Sequence, residues 1–96
     1  MAGDEGEEDE LLSLRITVQN TRRKDVLLAF SDSLEEPITP TEIAEDTGMH
    51  RSNVSRNLQK LEDDDLVRQI KSEGTRYRPY LLTKKGKKLL TMLAEE

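Results

Sequence analysis

The stretch from Thr39 to Gly48 constrains the fold more than any other part of this sequence, because it marks both ends of one short helix. Thr39 is a typical N-cap residue, Pro40 occupies the first helical position, and Glu42 stands three residues after the cap. Gly48 then ends the helix, because glycine readily adopts the left-handed conformation that follows a helix C-terminus. The sequence therefore predicts a short helix followed by a tight turn.

A second helix follows this turn at once, from Arg51 to about Asp63. Val54, Leu58 and Leu61 fall on one narrow stripe of its helical wheel, whereas the opposite side is polar. Two short helices joined by a three-residue turn, the second apolar on only one side, are typical of a helix-turn-helix.

The segment before this motif predicts one strand and one helix. Apolar and polar residues alternate strictly from Leu12 to Val18, which predicts a half-buried strand. A helix over residues 22–35, which ends before Pro37, is predicted by apolar residues that share one side at helical spacing: Val26, Leu27, Phe30 and Leu34. Leu28 lies on the other side of this helix, either as an isolated surface residue or as a contact with a second subunit.

The C-terminal part predicts a β-hairpin and a last helix. Strands are expected over 66–71 and 75–82, joined by a glycine-bearing turn at 72–74. Pro79 has no N–H to donate, so we expect it at an edge or a bulge. Thr83 caps the last helix, whose broad apolar side is wider than one core contact requires and comprises Leu89, Leu90, Met92 and Leu93. The predicted fold class is α+β, mainly α: a winged helix-turn-helix in the order strand, three helices, β-hairpin, helix.

The formal charge of −5 hides an uneven distribution along the 96 residues. Residues 1–10 contain six acidic residues and no basic one, whereas residues 51–88 contain 11 basic and five acidic residues, a net charge of +6. We therefore predict a disordered acidic tail over 1–10 and a folded domain over 11–96. The tail either competes with phosphates for the basic face or only aids solubility.

Composition argues against several classes of function. The sequence contains no cysteine, which excludes a disulfide framework, a thiolate metal site and a cysteine nucleophile, and the lone His50 makes a poor metal site. No set of nucleophile, base and orienting group can be assembled, so we expect neither an enzyme nor a metal or cofactor. The apolar runs are too short to cross a membrane and the start is acidic, which favours a cytoplasmic location.

The helix-turn-helix segment and its surroundings carry a recognisable series of residues. They comprise Ile43-Ala44, the turn glycine Gly48, Val54-Ser55-Arg56, Leu58 with Leu61-Glu62, Leu66-Val67 and, downstream, Leu82-Thr83-Lys84-Lys85-Gly86. This pattern resembles the winged helix-turn-helix of prokaryotic transcription regulators of the MarR/ArsR type. The resemblance implies a DNA-binding transcription factor that acts as a homodimer.

Three features depart from the pattern of these regulators. His50 stands where they often carry a serine cap, and Asp65 stands where they often carry glycine. Aspartate tolerates the left-handed conformation better than most residues, so Asp65 remains compatible with the turn. The chain is also shorter than MarR-type regulators, which have longer terminal helices and an effector pocket, so we do not expect a small-molecule effector.

The polar side of the predicted helix 51–63 supplies what DNA recognition requires, namely donors for base edges and cations for phosphates. Arg56 is the first candidate for a base contact, because its planar fork matches O6 and N7 of guanine. A solvated polar face is the alternative. The predicted DNA-binding residues in and beside this helix are His50, Arg51, Ser52, Asn53, Ser55, Arg56, Gln59 and Lys60.

The hairpin adds Lys71, Arg76 and Arg78 as predicted DNA-binding residues. Arg76 and Arg78 share one face of a strand, and arginine is favoured in a narrow minor groove. Alternatively, these cations only deter pairing of an exposed edge strand. The lysines of the last helix either attract the duplex or only solvate that helix.

Two functions from different classes follow. The first is a regulator that binds double-stranded DNA sequence-specifically, with helix 51–63 in the major groove and the wing 71–78 on phosphates or in the minor groove. The second is a winged helix that binds another protein. The polar residues predicted to face outward from helix 51–63 favour the first, because protein-binding modules tend to present apolar or aromatic anchors.

Overall fold

The computed structural model describes residues 2–71 and 78–95. Five helices and a two-stranded antiparallel sheet follow one another along the chain: α1 (Ala2–Val18), α2 (Arg22–Leu28), α3 (Pro40–Thr47), α4 (Arg51–Asp63), β1 (Val67–Gln69), β2 (Tyr80–Leu82) and α5 (Lys84–Ala94). The mainly helical winged-helix fold class is therefore confirmed, although individual elements differ from the prediction.

The predicted strand from Leu12 to Val18 is wrong, because these residues belong to α1. Leu11, Leu14 and Val18 are spaced three and four residues apart and form the inward stripe of the helix; Leu11 and Val18 are buried and Leu14 is half-buried. Leu12 and Ile16, which the alternating pattern would bury, are instead 43% and 75% exposed. The same seven residues satisfy both periodicities, and packing selects the helix.

The helix α1 begins at Ala2, so residues 2–10 are helical where the sequence predicts a disordered acidic tail. Two of its carboxylates form ion pairs with lysines of α5, Glu7 with Lys88 and Glu10 with Lys85. Acidic residues in the first turns of a helix also interact favourably with its N-terminal partial charge. The acidic segment thus has charged partners that a linear pattern does not reveal.

The helix predicted over 22–35 is shorter in the structure, since α2 ends at Leu28. Backbone bonds from Phe30 to Leu27, from Ser31 to Leu28 and from Ser33 to Phe30, at 2.9–3.0 Å, then form tighter turns. Phe30 is buried as predicted, but Leu34, expected on the same stripe, is 43% exposed. The serine and aspartate residues after Phe30 favour turns over a helix interior.

The two helices of the central motif are confirmed, including their ends. The Thr39 hydroxyl accepts a hydrogen bond from the Glu42 amide, and the Glu42 carboxylate accepts one from the Thr39 amide, which completes the capping box of α3. Gly48 ends α3 in the left-handed conformation, with φ of 74°. Val54, Leu58 and Leu61 of α4 are fully buried, so α4 is held by one side only.

Within the described residues the hairpin strands are shorter than predicted, while the turn 72–74 and the first part of the predicted second strand, 75–77, lie outside the described residues. Val67 pairs with Leu82 and Gln69 with Tyr80. On its other edge, Tyr80 exchanges two backbone hydrogen bonds with Ile38, at 2.7 and 2.9 Å. The base of the hairpin is therefore attached to the segment that leads into α3.

A close backbone contact fixes the start of α5 to the start of the hairpin. The Thr83 hydroxyl accepts a hydrogen bond from the Gly86 amide at 3.0 Å and donates one to the Asp65 carbonyl at 2.6 Å. A Cβ on Gly86 would lie 2.0 Å from the Leu66 carbonyl oxygen, so only glycine fits there. Asp65 has a φ of 63°, which is the left-handed conformation that aspartate is expected to tolerate.

Candidate nucleic-acid interface

The outward side of α4 is an exposed, entirely polar surface. Each residue that the sequence assigned to DNA binding in and beside this helix is exposed: His50, Arg51, Ser52, Asn53, Ser55, Arg56, Gln59 and Lys60. The buried stripe lies on the other side of the helix, so packing orients this surface toward solvent. The helix can therefore enter a groove without disturbing the core.

The N-terminus of α4 is open. His50 occupies the N-cap position, but its side chain makes no capping hydrogen bond. The imidazole therefore does not replace the serine cap that the resembling regulators often carry at this position. The free amides of a helix N-terminus together with a positive partial charge favour an anion such as phosphate.

One flank of α4, here called the α2 flank, is a basic surface depression between α4 and the start of α2. It is lined by Thr21, Arg22, Arg23, Gly48, Met49, His50, Asn53, Arg56, Asn57 and Lys60. Among the described residues, no carboxylate lines this depression. Of its basic side chains, only Arg22 is partly neutralised by another described residue, through an ion pair with Asp25 at 3.0 Å. The α2 flank thus combines four basic side chains and one histidine from three segments of the chain.

Arg22 and Arg23 are the site residues that sequence reasoning missed. They begin α2, about 30 positions before α4, and a linear pattern gives no reason to expect the two segments to be close in space. The signal available in the sequence is the basic run Arg22-Arg23-Lys24. The packing of α2 against α4 brings its first two residues beside Arg56 and Lys60.

The other flank of α4, here called the hairpin flank, contains both acidic and basic side chains. It is lined by Thr39, Pro40, Thr41, Glu42, Arg51, Ser55, Gln59, Glu62, Gln69, Arg78 and Tyr80. Its two carboxylates have structural partners, because Glu42 belongs to the capping box and Glu62 accepts a hydrogen bond from the Gln69 amide at 3.0 Å. Neither carboxylate forms an ion pair with Arg51 or Arg78 in the described part of the chain.

Tyr80 helps to hold the hairpin beside α4. Its hydroxyl accepts a hydrogen bond from the Gln69 side-chain amide at 3.2 Å. Burial raises the pKa of the Tyr80 phenol above its usual value, the Glu62 carboxylate raises it further, and the Arg78 guanidinium opposes both. The phenol thus stays protonated at neutral pH. Hydrogen bonds from Gln69 of β1 to both Glu62 and Tyr80 link the end of α4 to the hairpin.

The structure does not bring all predicted residues together. Arg51, Ser55 and Gln59 share the hairpin flank with Arg78, whereas His50, Asn53, Arg56 and Lys60 share the α2 flank. Lys71 is exposed two residues after the end of β1 but lines neither flank. Arg76 lies outside the described residues.

Comparison with known protein families identifies the family of this chain. The model of the MarR family matches residues 17–76, more than half of the chain. The chain belongs to the MarR family. No curated protein matches the sequence.

Solved structures of the MarR family share the fold. One MarR family transcription regulator has a TM-score of 0.69 at 23% identity, over 84% of this chain and 54% of its own. A mutant MepR from a multidrug-resistant Staphylococcus aureus clinical isolate has a TM-score of 0.70 at 22% identity, over 99% of this chain and 69% of its own. Another S. aureus MepR mutant, bound to an oligodeoxyribonucleotide, has a TM-score of 0.69 at 21% identity, over 96% and 65%.

At these low identities, the TM-scores of 0.69 to 0.70 establish a shared fold. This MarR-family chain spans about half the length of two of the solved proteins that it matches, the MarR family transcription regulator above and Lactococcus lactis ZitR. None of the helices in the described ranges is long and apolar enough to cross a bilayer. Across residues 2–71 and 78–95, no three histidine or carboxylate side chains are grouped in a way that could hold a metal ion.

Proposed function

We propose that this MarR-family chain regulates transcription by binding double-stranded DNA sequence-specifically as a homodimer. The observation that carries the proposal is the outward side of α4, an exposed polar surface with basic side chains that have no carboxylate partner among the described residues. A protein-binding surface would present apolar or aromatic anchors instead. The site of action would be the cytoplasm, where a prokaryotic chromosome lies.

The residues of α4 divide into base contacts and phosphate contacts. Arg56 is proposed to donate two hydrogen bonds to guanine, and Ser52, Asn53 and Gln59 to meet neighbouring base edges. Arg51, Ser55 and Lys60 would bind phosphates on either side of the groove. His50, next to the open N-terminus of α4, would bind a phosphate at the point where the helix enters the groove.

The two flanks of α4 would bind the two sugar-phosphate backbones beside the major groove. Arg22 and Arg23 extend the α2 flank by two cations that the sequence pattern alone did not assign. Arg78 extends the hairpin flank, and Lys71 and Arg76 stay predicted contacts of the wing with phosphates or the minor groove.

The homodimer is supported by an apolar stripe on α1. Leu12 and Ile16 are one helical turn apart and exposed, and Ile16 is the most exposed large apolar residue in the described part of the chain. In contrast, Leu89, Leu90 and Leu93 of α5 are buried within the chain, so the broad apolar side of the last helix does not need a second subunit. We expect a dimer in sedimentation equilibrium at micromolar concentration, and a monomer there would contradict this part of the proposal.

Selection of bound duplexes from a random pool tests the proposal as a whole. We expect an enriched pseudo-palindrome whose half-sites are one helical turn apart, since a twofold dimer presents two copies of α4 at about 34 Å. The selected duplex should bind more tightly than a shuffled one at every salt concentration, while both lose affinity as salt increases. Equal binding of all sequences, or no binding at 50 mM salt, would overturn the proposal.

A further inference from the structure

The helices α1 and α5 are joined by ion pairs in register. Glu7 and Glu10 are three residues apart on α1, and they pair with Lys88 and Lys85, three residues apart on α5, in the reverse order. The Glu7–Lys88 pair measures 2.9 Å. This reversal is the arrangement of two antiparallel helices whose charged rows face each other. Leu11, the residue after Glu10, is buried in the core.

The two helices have opposite charge. The sequence of α1 contains six carboxylates and one arginine, whereas α5 contains four lysines and no carboxylate. Three of these lysines pair with carboxylates from other segments, because Lys87 also binds Glu35 at 2.6 Å. The fourth, Lys84, is exposed and has no ion pair with any residue that the structure describes.

We propose that the lysines of α5 form a second phosphate-binding surface, which the carboxylates of Glu7, Glu10 and Glu35 cover so that duplex DNA is directed to α4. The inference rests on the DNA binding proposed above. Four lysines within two turns of one helix would attract a phosphate backbone without sequence preference. Such binding would compete with recognition by α4, because the ratio of specific to non-specific affinity determines occupancy of a site.

The contacts of Lys85 place this covered surface near the C-terminal end of α4, away from the N-terminal half of its outward side. Its side chain is 15% exposed, and its ammonium group donates a hydrogen bond to the Asp64 carbonyl at 2.8 Å, at the C-terminal end of α4. Arg51 begins the helix, about 18 Å away along its axis at 1.5 Å per residue. A duplex seated on α5 would therefore not be aligned with the N-terminal half of α4.

The covering carboxylates lie at the surface, because Glu7, Glu10 and Glu35 are 36%, 53% and 80% exposed. Each pair is therefore individually weak even though Lys85 is largely buried, and the effect depends on the number of pairs. Exposed ion pairs contribute little to stability and are screened by salt. Their removal is thus expected to leave the fold intact while it frees three ammonium groups. The surface should then bind phosphates at low salt.

The test compares two triple variants with the same change in charge. Glu7→Gln/Glu10→Gln/Glu35→Gln removes the covering carboxylates, and the control Glu8→Gln/Glu36→Gln/Glu45→Gln removes three exposed carboxylates without an ion pair in the described part of the chain. Fluorescence anisotropy with one duplex of shuffled sequence measures affinity from 50 to 200 mM salt. We expect the uncovered variant to bind at least tenfold more tightly than the control at 50 mM, with a salt slope steeper by about 2 to 3.

A second comparison identifies the lysines as the cause. Lys85→Gln/Lys87→Gln/Lys88→Gln should abolish the gain in the uncovered variant, yet change the affinity of the natural chain for its selected duplex less than threefold. Equal binding by the two carboxylate variants would overturn the inference, as would a tenfold loss when the lysines are replaced in the natural chain. If the uncovered variant unfolds, Glu7→Gln/Glu35→Gln keeps the Lys85 contacts and should still gain about threefold; no gain from that variant would also overturn the inference.

The outcome is separable from that of the proposed function. A natural chain without sequence preference contradicts specific regulation. The comparison of the two carboxylate variants on a single duplex still decides whether the α5 lysines form a covered phosphate-binding surface.

Discussion

The helices α4 and α5 both carry a row of basic side chains, but they differ in what those side chains and the helix N-termini contact. Three of the four lysines on α5 have carboxylate partners, and Thr83 caps this helix. On α4, Arg56 and Lys60 have no ion pair with another described residue, and His50 leaves the N-terminus uncapped. The sign of the charge alone does not distinguish a surface available to DNA from one used within the chain.

The largest expected effect concerns the fixed start of α5. Gly86→Ala should lower the free energy of unfolding by about 3 kcal/mol, because the new Cβ would overlap the Leu66 carbonyl, a backbone atom that cannot move alone. Thermal unfolding followed by circular dichroism measures this loss.

Gly6→Ala is the matched control for this substitution. A Cβ at Gly6 would meet nothing within 4 Å, so the same change should be neutral or slightly stabilising there. Similar unfolding temperatures for the two variants would contradict a close contact between α5 and the hairpin.

The central part of the fold could be predicted because local signals determine it. The capping box at Thr39, the left-handed Gly48 and the stripe of Val54, Leu58 and Leu61 each act within a few residues. The bounds of α3 and α4 follow from these signals without any knowledge of the rest of the chain.

The structure of α1 could not be predicted, because its deciding contacts are distant in sequence. Alternation from Leu12 to Val18 fits a strand, and only packing against α5, some 75 positions away for the Glu10–Lys85 pair, selects the helix. The same limit applies to the candidate interface. Arg22 and Arg23 join the α2 flank through the packing of α2 on α4, which no local pattern encodes.

An intermediate effect, on DNA binding, is expected from a substitution on the outward side of α4. Arg56→Ala should weaken binding of the selected duplex by about 1 to 3 kcal/mol and relax the base preference at one position of each half-site. Fluorescence anisotropy with duplexes substituted at each position measures both quantities.

A further variant and its control separate the effect of the paired guanidinium donors of Arg56 from the effect of its charge. Arg56→Lys keeps the charge but loses the planar pair of donors, so it should retain affinity for shuffled DNA while losing base preference. Lys84→Ala removes one charge from α5 and should leave base preference unchanged. A uniform loss for all sequences in Arg56→Ala would instead assign Arg56 to a phosphate.

The smallest expected effect concerns the uncapped N-terminus of α4. His50→Ser should raise the free energy of unfolding by about 0.5 to 1 kcal/mol, because a serine hydroxyl can accept a hydrogen bond from an amide of the first turn that the imidazole leaves free. His50→Ala removes the imidazole without adding a cap and serves as the control in the same thermal unfolding measurement. Because the serine would occupy the amides that we assign to a phosphate, the stabilised variant should bind the selected duplex less tightly than the natural chain. A serine variant no more stable than the alanine variant would mean that these amides are already satisfied, and the contrast between the two helix N-termini would then lose its basis.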